Sequence, residues 1–105
     1  MASTTTELEP GQWHCVAHRA AMRELHDIPS SDATTIKAIA QEASQLKKPS
    51  NHPNISLLRH CSGMMRIRSG NYRALCDRSP PDFRVLLIDR REYVYDRVGE
   101  AKARQ

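Results

Sequence analysis

The sequence predicts an α+β domain of order β-α-α-β-β-β-β, with an N-terminal helix hairpin packed on a small antiparallel sheet. Three features point there. Apolar residues recur at three- and four-residue spacing between Ile36 and Leu46, as on a buried helical stripe. From Ile55 onward the period falls toward two, the period of strands. Turn-forming clusters separate the short runs. At 105 residues the chain suits one domain, and such a chain buries roughly two thirds of its unfolded surface.

Residues 1–11 are polar, rich in threonine and carry Pro10-Gly11, so they are expected to form a flexible tail ahead of a domain spanning 12–97. Gln12 to Ala17 reads as a first strand. Arg19 to His26 reads as a helix with Ala20, Ala21, Met22 and Leu25 on its apolar side. Pro29 breaks it, and Ser31 or Asp32 is expected to cap a second helix running to about Leu46. Ile36, Ile39, Ala40, Ala43 and Leu46 form its stripe. A loop with Pro49 and Pro53 follows, and Ile55 to Leu58 leads toward the sheet. Met64 to Arg68 alternates strictly, Ser69-Gly70-Asn71 is a turn signal, and Tyr72 to Cys76 is the returning strand. Asp77 to Asp82 (DRSPPD) reads as a loop. Phe83 to Ile88 is apolar on both faces, as in a strand covered on both sides. Asp89 to Arg97 reads as a last short strand, and residues 98–105 as a C-terminal tail with helical character.

Charge is divided unevenly. Residues 1–58 hold five Lys/Arg against six Asp/Glu, and residues 59–105 hold eleven against six. Between Arg59 and Arg97 there are nine arginines and no lysine. Arginine offers a planar fork for phosphate, so a basic half of this kind points to a polyanionic partner. The bland alternative is a solvated charged surface.

If Gly70-Asn71 is a two-residue hairpin loop, Ser69 pairs with Tyr72, Arg68 with Arg73, Ile67 with Ala74, Arg66 with Leu75 and Met65 with Cys76. One face then gathers Met65, Ile67, Ala74 and Cys76. The other gathers Arg66, Arg68, Arg73 and Leu75. A slip of one residue would expose the apolar set, so this register is favoured; a three-residue loop, Ser69-Gly70-Asn71, would set Arg68 against Tyr72 instead. The two-residue loop sets Arg68 across from Arg73 with Cβ atoms about 5 Å apart, a destabilising like-charge pair. Either an anion compensates it, or Asp77, Asp82, Asp89 or Glu92 does so within the fold. Beyond the hairpin, Arg90, Arg91, Tyr93 and Tyr95 add a mixture of cations and rings, which suits phosphate and base together.

With these residues in place, the stretch from Leu57 to Asp96 resembles the C-terminal half of RelE/ParE superfamily toxins. The correspondence runs through Leu57-Leu58-Arg59, Arg66-Ile67-Arg68, Gly70-Asn71-Tyr72-Arg73, the apolar strand Phe83 to Ile88, and Arg90-Arg91-Glu92-Tyr93-Val94-Tyr95. The helix hairpin before it fits the two N-terminal helices of that family. The resemblance implies the toxin of a type II toxin–antitoxin system, neutralised by a cognate antitoxin protein. Its RelE branch would cut mRNA on the ribosome, with a ribose 2′-OH attacking the adjacent phosphate and no metal or cofactor in the scheme. By position, Arg66, Arg68, Arg73, Arg90 and Tyr95 would be catalytic. Arg59, Arg66, Arg68, Arg73, Arg91 and Tyr93 would hold the nucleic acid. The ParE branch shares the scaffold but inhibits DNA gyrase by contact alone, and a solitary inactive member is a third alternative. An all-arginine basic pair departs from the family pattern, since arginine shuttles protons poorly. So do the extended N-terminal tail and a long proline-broken loop before Phe83.

Other constellations are weak. His14 and His18 lie four apart, but in a strand-and-turn context without a third ligand, so no metal site is expected. His60 could serve as a general acid, though a surface histidine is the commoner outcome. Cys15, Cys61 and Cys76 form neither a C-x-x-C pair nor an even set, which argues against a disulfide framework or zinc ribbon. No run reaches the roughly 18 apolar residues of a membrane span. The N-terminal residues lack the basic-then-apolar pattern of a secretory signal, so a cytoplasmic location is expected.

Overall fold

A computed structural model describes residues 13–61 and 63–105. The expected N-terminal tail and Gln12 lie outside the described residues. The elements are β1 (His14–Ala17), α1 (Arg19–His26), α2 (Ser30–Ser44), β2 (Ile55–Leu57), β3 (Met64–Ser69), β4 (Tyr72–Ser79), β5 (Asp82–Arg90), α3 (Arg91–Val94) and α4 (Val98–Ala103). Two short 3₁₀ turns, Pro49–Asn51 and Tyr95–Arg97, complete the chain. The α+β class and the run β-α-α-β-β-β-β are as expected from the sequence, but one strand is unexpected and one expected strand is absent.

The five strands form one sheet in the order β1-β5-β4-β3-β2. All neighbours are antiparallel except β1, which runs parallel to β5. Ile55–Leu57, expected only to lead into the sheet, is its edge strand. Asp89 to Arg97, expected to be a strand, is not one. Asp89 and Arg90 finish β5, and Arg91 starts a helix. The expected loop 77–82 is largely strand as well. Ser79 pairs with Asp82, leaving a two-residue turn at Pro80-Pro81, whose peptide bond is cis. The long loop that set this chain apart from the RelE/ParE pattern is therefore absent.

The hairpin register is the one the hydrophobic pattern dictates. Arg68 faces Arg73, Ile67 faces Ala74 and Met65 faces Cys76. Gly70 takes φ +56 at the first turn position, where a side chain would be strained and its Cβ would lie 3.2 Å from an Asp32 carboxylate oxygen. Asp32 does not cap α2, which begins at Ser30 behind Pro29. Its Oδ1 instead accepts from Ser69 Oγ at 2.9 Å and holds the hairpin end against the helix. At the other helix, His18 is the N-cap, its Nδ1 accepting from Ala20 N at 3.0 Å.

Two cores lie on opposite faces of the sheet. Met65, Ile67, Ala74, Cys76, Phe83, Val85 and Ile88 face α1 and α2, where Ile36, Ile39, Ala40 and Ala43 are buried. Leu46 lies beyond the end of α2 and is only half-buried. On the other face Met64, Leu75, Leu86 and Leu87 meet Val94 and Ala101. Residues beyond 97 are thus part of the packed body, since Ala101 in α4 is fully buried. Leu86 and Leu87 point the same way because β5 has a bulge: partners shift from Leu75↔Leu87 to Cys76↔Val85, leaving Leu86 as an extra residue.

Where β1 stops, side chains continue the work of a neighbouring strand. Glu24 of α1 accepts from Ile88 N at 2.9 Å, while Arg104 Nη1 donates to Leu86 O at 2.9 Å. The same Glu24 carboxylate receives Arg97 Nη2 at 2.9 Å and Arg104 Nη1 and Nη2 at 3.0 and 3.1 Å. Asp89 accepts from Arg97 Nη1 at 2.8 Å, and Glu100 takes Arg97 Nε at 2.9 Å and Arg104 Nη2 at 2.8 Å.

Two outcomes follow for stability. Glu24→Ala strands the Ile88 N–H and two half-buried guanidinium groups, at a cost of about 1–3 kcal/mol. Urea unfolding should show a lower midpoint with an unchanged slope. The Glu100 carboxyl is held down to about 2, chiefly by the hydrogen bond from Arg97. Its folded value lies below its ordinary 4.5, so the contribution is complete above that pH and disappears as pH falls toward 2. Glu100→Gln should flatten this acid limb in a series of thermal melts.

Candidate nucleic-acid interface

Arg66, Arg68 and Arg73 project from the sheet face opposite the helix hairpin, beside the C-terminal elements. The register makes Arg68 and Arg73 direct neighbours, with Asp89 next across β5. Of the four carboxylates that could neutralise the three, Asp77 and Asp89 are committed to other arginines, and neither Asp82 nor Glu92 is within ion-pair distance of Arg66, Arg68 or Arg73. Asp77, buried, is bound by the Arg84 fork and by Gln105 Nε2 at 2.7 Å. Asp89 is held by Arg97 and by Arg90 N at 2.7 Å, and Asp82 lies 3.6 Å from His14. Among the described residues no carboxylate stands within ion-pair distance of Arg59, Arg66, Arg68, Arg73, Arg90 or Arg91.

The like-charge pair is relieved by direction. Arg68 extends into solvent. Arg73 folds back, its Nη1 donating to Gly70 O at 2.9 Å and Tyr72 O at 2.8 Å, so it grips the turn that precedes it. Arg66 takes a third course. Its Nη1 donates to Tyr95 Oη at 2.7 Å, and its Cζ lies 5.6 Å from the centre of the same ring. The phenol oxygen is the acceptor in this bond, so its own hydrogen is left for another partner.

The helical start at Arg91 makes this contact. In a strand Tyr93 and Tyr95 would share a face; in the observed helix and 3₁₀ turn they diverge. Val94 is buried against the second core, Tyr95 reaches Arg66, and Tyr93 stands 54% exposed. Arg59, His60, Arg66 and Tyr95 line an open cleft of about 430 Å³ whose apolar wall is Leu57, Leu58 and Val98. Arg90 is paired with Tyr72, one step out of phase with Arg73 and Asp89. With Arg91, Asn71, Tyr72 and Glu92 it lines a second cleft of about 400 Å³. The structure therefore brings Arg59, Arg66 and Tyr95 together beside Arg68 and Arg73. It sets Arg90 and Arg91 apart from that cleft and leaves Tyr93 outside both.

The sequence reading missed Leu57 and Val98 as cleft walls and the carboxylates that hold the C-terminal elements in position. The spacing of Glu100 and Arg104, four apart on a helix, carries a signal for part of that network. Two histidines serve the fold: His18 caps α1, and buried His52 sets Nε2 2.8 Å from Glu42 Oε1. Cys76 is fully buried, which pushes its thiol well above the ordinary value. Among the described residues, no His, Cys, Asp and Glu side chains gather as a metal-binding group. No described helix is long and apolar enough to cross a membrane.

No protein-family model matches the sequence, and no curated protein matches it significantly. Solved structures do. An arginine-to-alanine double mutant of the Escherichia coli toxin RelE in the free state superimposes with a TM-score of 0.68 at 20% identity, over 89% of this chain and 97% of that one. A chain of the Mycobacterium tuberculosis RelBE2 toxin–antitoxin complex gives 0.62 at 21%, over 83% and 98%. A chain of the RelB–RelE antitoxin–toxin complex from Methanococcus jannaschii gives 0.61 at 22%, over 77% and 95%. The sheet order, the helix hairpin, the C-terminal layer and these superpositions together establish that the chain has the RelE toxin fold.

Proposed function

We propose that the chain is the toxin of a toxin–antitoxin pair and that it cleaves mRNA on the ribosome. The observation that carries this reading is a sheet face with three neighbouring arginines, no carboxylate partner among the described residues, and a tyrosine hydroxyl bonded to one of them. Arg66, Arg68 and Arg73 would gather a phosphodiester and stabilise the charge that develops on its equatorial oxygens. Arg59 would contact the strand as it leaves along the apolar wall. The 2′-oxygen forms the new bond to phosphorus and the bond to the 5′-oxygen breaks, leaving a cyclic phosphate. Tyr95, bonded to Arg66, would exchange protons with the reacting oxygens, taking one from the 2′-hydroxyl and returning one to the departing 5′-oxygen. Much of the rate would come from positioning by the ribosome, because arginines are poor proton carriers. Arg90, Arg91 and Tyr93 would act farther along the strand.

An antitoxin is the expected protein partner, by likeness to the RelB–RelE complexes. A segment able to neutralise this face should be acidic or amphipathic and should order itself on contact.

Binding to ribosomes or single-stranded RNA should weaken steeply with salt, since each neutralised phosphate releases counterions. Arg68→Ala should weaken binding and leave thermal melting unchanged, because the Arg68 side chain is exposed and makes no hydrogen bond or ion pair among the described residues. Arg73→Ala should weaken binding and also lower stability modestly, by about 0.5–1.5 kcal/mol for each turn bond lost. Unchanged binding in both variants would remove the basis of this reading. In a bacterial host, induction should bring rapid loss of mRNA, and co-expression of a small acidic neighbour should restore growth. An SOS response without mRNA loss would point to DNA gyrase instead, and undisturbed growth to an inactive protein.

A further inference from the structure

We propose that Tyr95 is the resting occupant of a phosphate subsite on Arg66, and that a phosphodiester binds there by displacing it. The inference rests on reading this face as phosphate-binding, and it adds how the site is kept in the absence of substrate. Arg66 is half-buried, and its Nε is shielded from solvent with no hydrogen-bond partner among the described residues. A buried donor left unmet is costly, and native structures rarely keep one without a function. The edge of a guanidinium formed by Nε–H and one Nη–H is the fork that fits two oxygens of a phosphate. In Arg66 the Nε of that edge is idle, while Nη1 is spent on Tyr95 Oη and the guanidinium carbon sits over the phenol ring, 5.6 Å from its centre.

Tyr95 can leave without disturbing the fold. It is 43% exposed and sits at the start of a three-residue 3₁₀ turn. That turn is fixed before it by buried Val94 and at its end by Arg97, which is bound to Glu24, Asp89 and Glu100. The backbone stays while the side chain swings. The cleft beside it has room for a nucleotide, with Arg59 at one side and the exposed Leu57 side chain as an apolar wall. Phosphate on Arg66 would meet the idle Nε, and the displaced hydroxyl would then lie next to the bound backbone.

The test uses a short 2′-O-methyl oligoribonucleotide, which lacks the attacking hydroxyl and stays intact. Fluorescence anisotropy would give its affinity for the full chain, for Tyr95→Phe, for Arg66→Lys and for the double variant. Tyr95→Phe keeps the ring but removes the hydrogen bond, and should tighten binding about two- to tenfold, the equivalent of one hydrogen bond. Arg66→Lys should weaken binding, and adding Tyr95→Phe to it should change nothing further. The Nε–H signal of Arg66 in the NMR spectrum should shift as the oligonucleotide is added. Equal or weaker binding by Tyr95→Phe would overturn the proposal, as would a Tyr95 effect that survives Arg66→Lys, or no binding by any variant. Tighter binding by Tyr95→Phe with no mRNA cleavage by the unaltered protein would leave the subsite standing and sink the nuclease reading.

Discussion

The arrangement of the basic face depends on one carboxylate that is not part of it. Glu24 uses both oxygens fully, taking one backbone N–H from β5 and both guanidinium groups of the C-terminal segment. It thereby ties together three layers: α1 on one side of the sheet, the β5 edge, and the elements that cover the other side. Isolated ion pairs at a surface contribute little, but this one is a partly buried network in which each member also satisfies a backbone group or a second charge. Arg104 serves the bulge at Leu86 and Arg97 serves Asp89. If Arg97 is fixed, so is the 3₁₀ turn that starts at Tyr95, and with it the backbone position from which Tyr95 reaches Arg66.

This division of carboxylates also explains the uncompensated charge. The C-terminal half holds six acidic residues against eleven basic ones, which could have neutralised much of the sheet face. Three of the six, Asp77, Asp89 and Glu100, are spent instead on Arg84, Arg97 and Arg104, arginines that anchor structure. The arginines of the exposed face are those left over. A positive field of that kind destabilises the domain by self-repulsion.

The core of this fold was legible in the sequence because its pattern allows one answer. Ile36, Ile39, Ala40 and Ala43 fit only a helical stripe, and Met65, Ile67, Ala74 and Cys76 fit only one hairpin register, so α2 and the β3–β4 pairing follow. What misled were segments whose local pattern allows two answers. Glu92-Tyr93-Val94-Tyr95 has the composition of a strand, yet β4 pairs β5 along its length and β1 occupies its other edge from Asp82 to Val85, beyond which Glu24 takes the Ile88 N–H. The segment gains more by turning over the sheet and burying Val94. Asp77 to Asp82 looks like a loop because of its charges and prolines. Asp77 nevertheless enters the second core, since Arg84 on the next strand lies directly across and pairs with it. In both cases a partner distant in sequence decides, and alternation within the segment carries no trace of it. The candidate site was legible in the same measure. Arg66, Arg68 and Arg73 followed from register, whereas the meeting of Arg66 with Tyr95 depends on the helical turn that the pattern concealed.

The Arg68–Arg73 pair shows how the fold holds two cations side by side without an acid between them. The turn is fixed from below by Asp32, which binds Ser69 and crowds the Gly70 position. That leaves the Gly70 and Tyr72 carbonyls pointing where Arg73 can reach them, and two carbonyl dipoles take the place of a carboxylate. Dipoles stabilise a guanidinium without cancelling its charge. Arg73 can thus be ordered within the fold while its field still reaches the space beside Arg68. A carboxylate at the same place would cancel that field, and the sequence here has the dipoles.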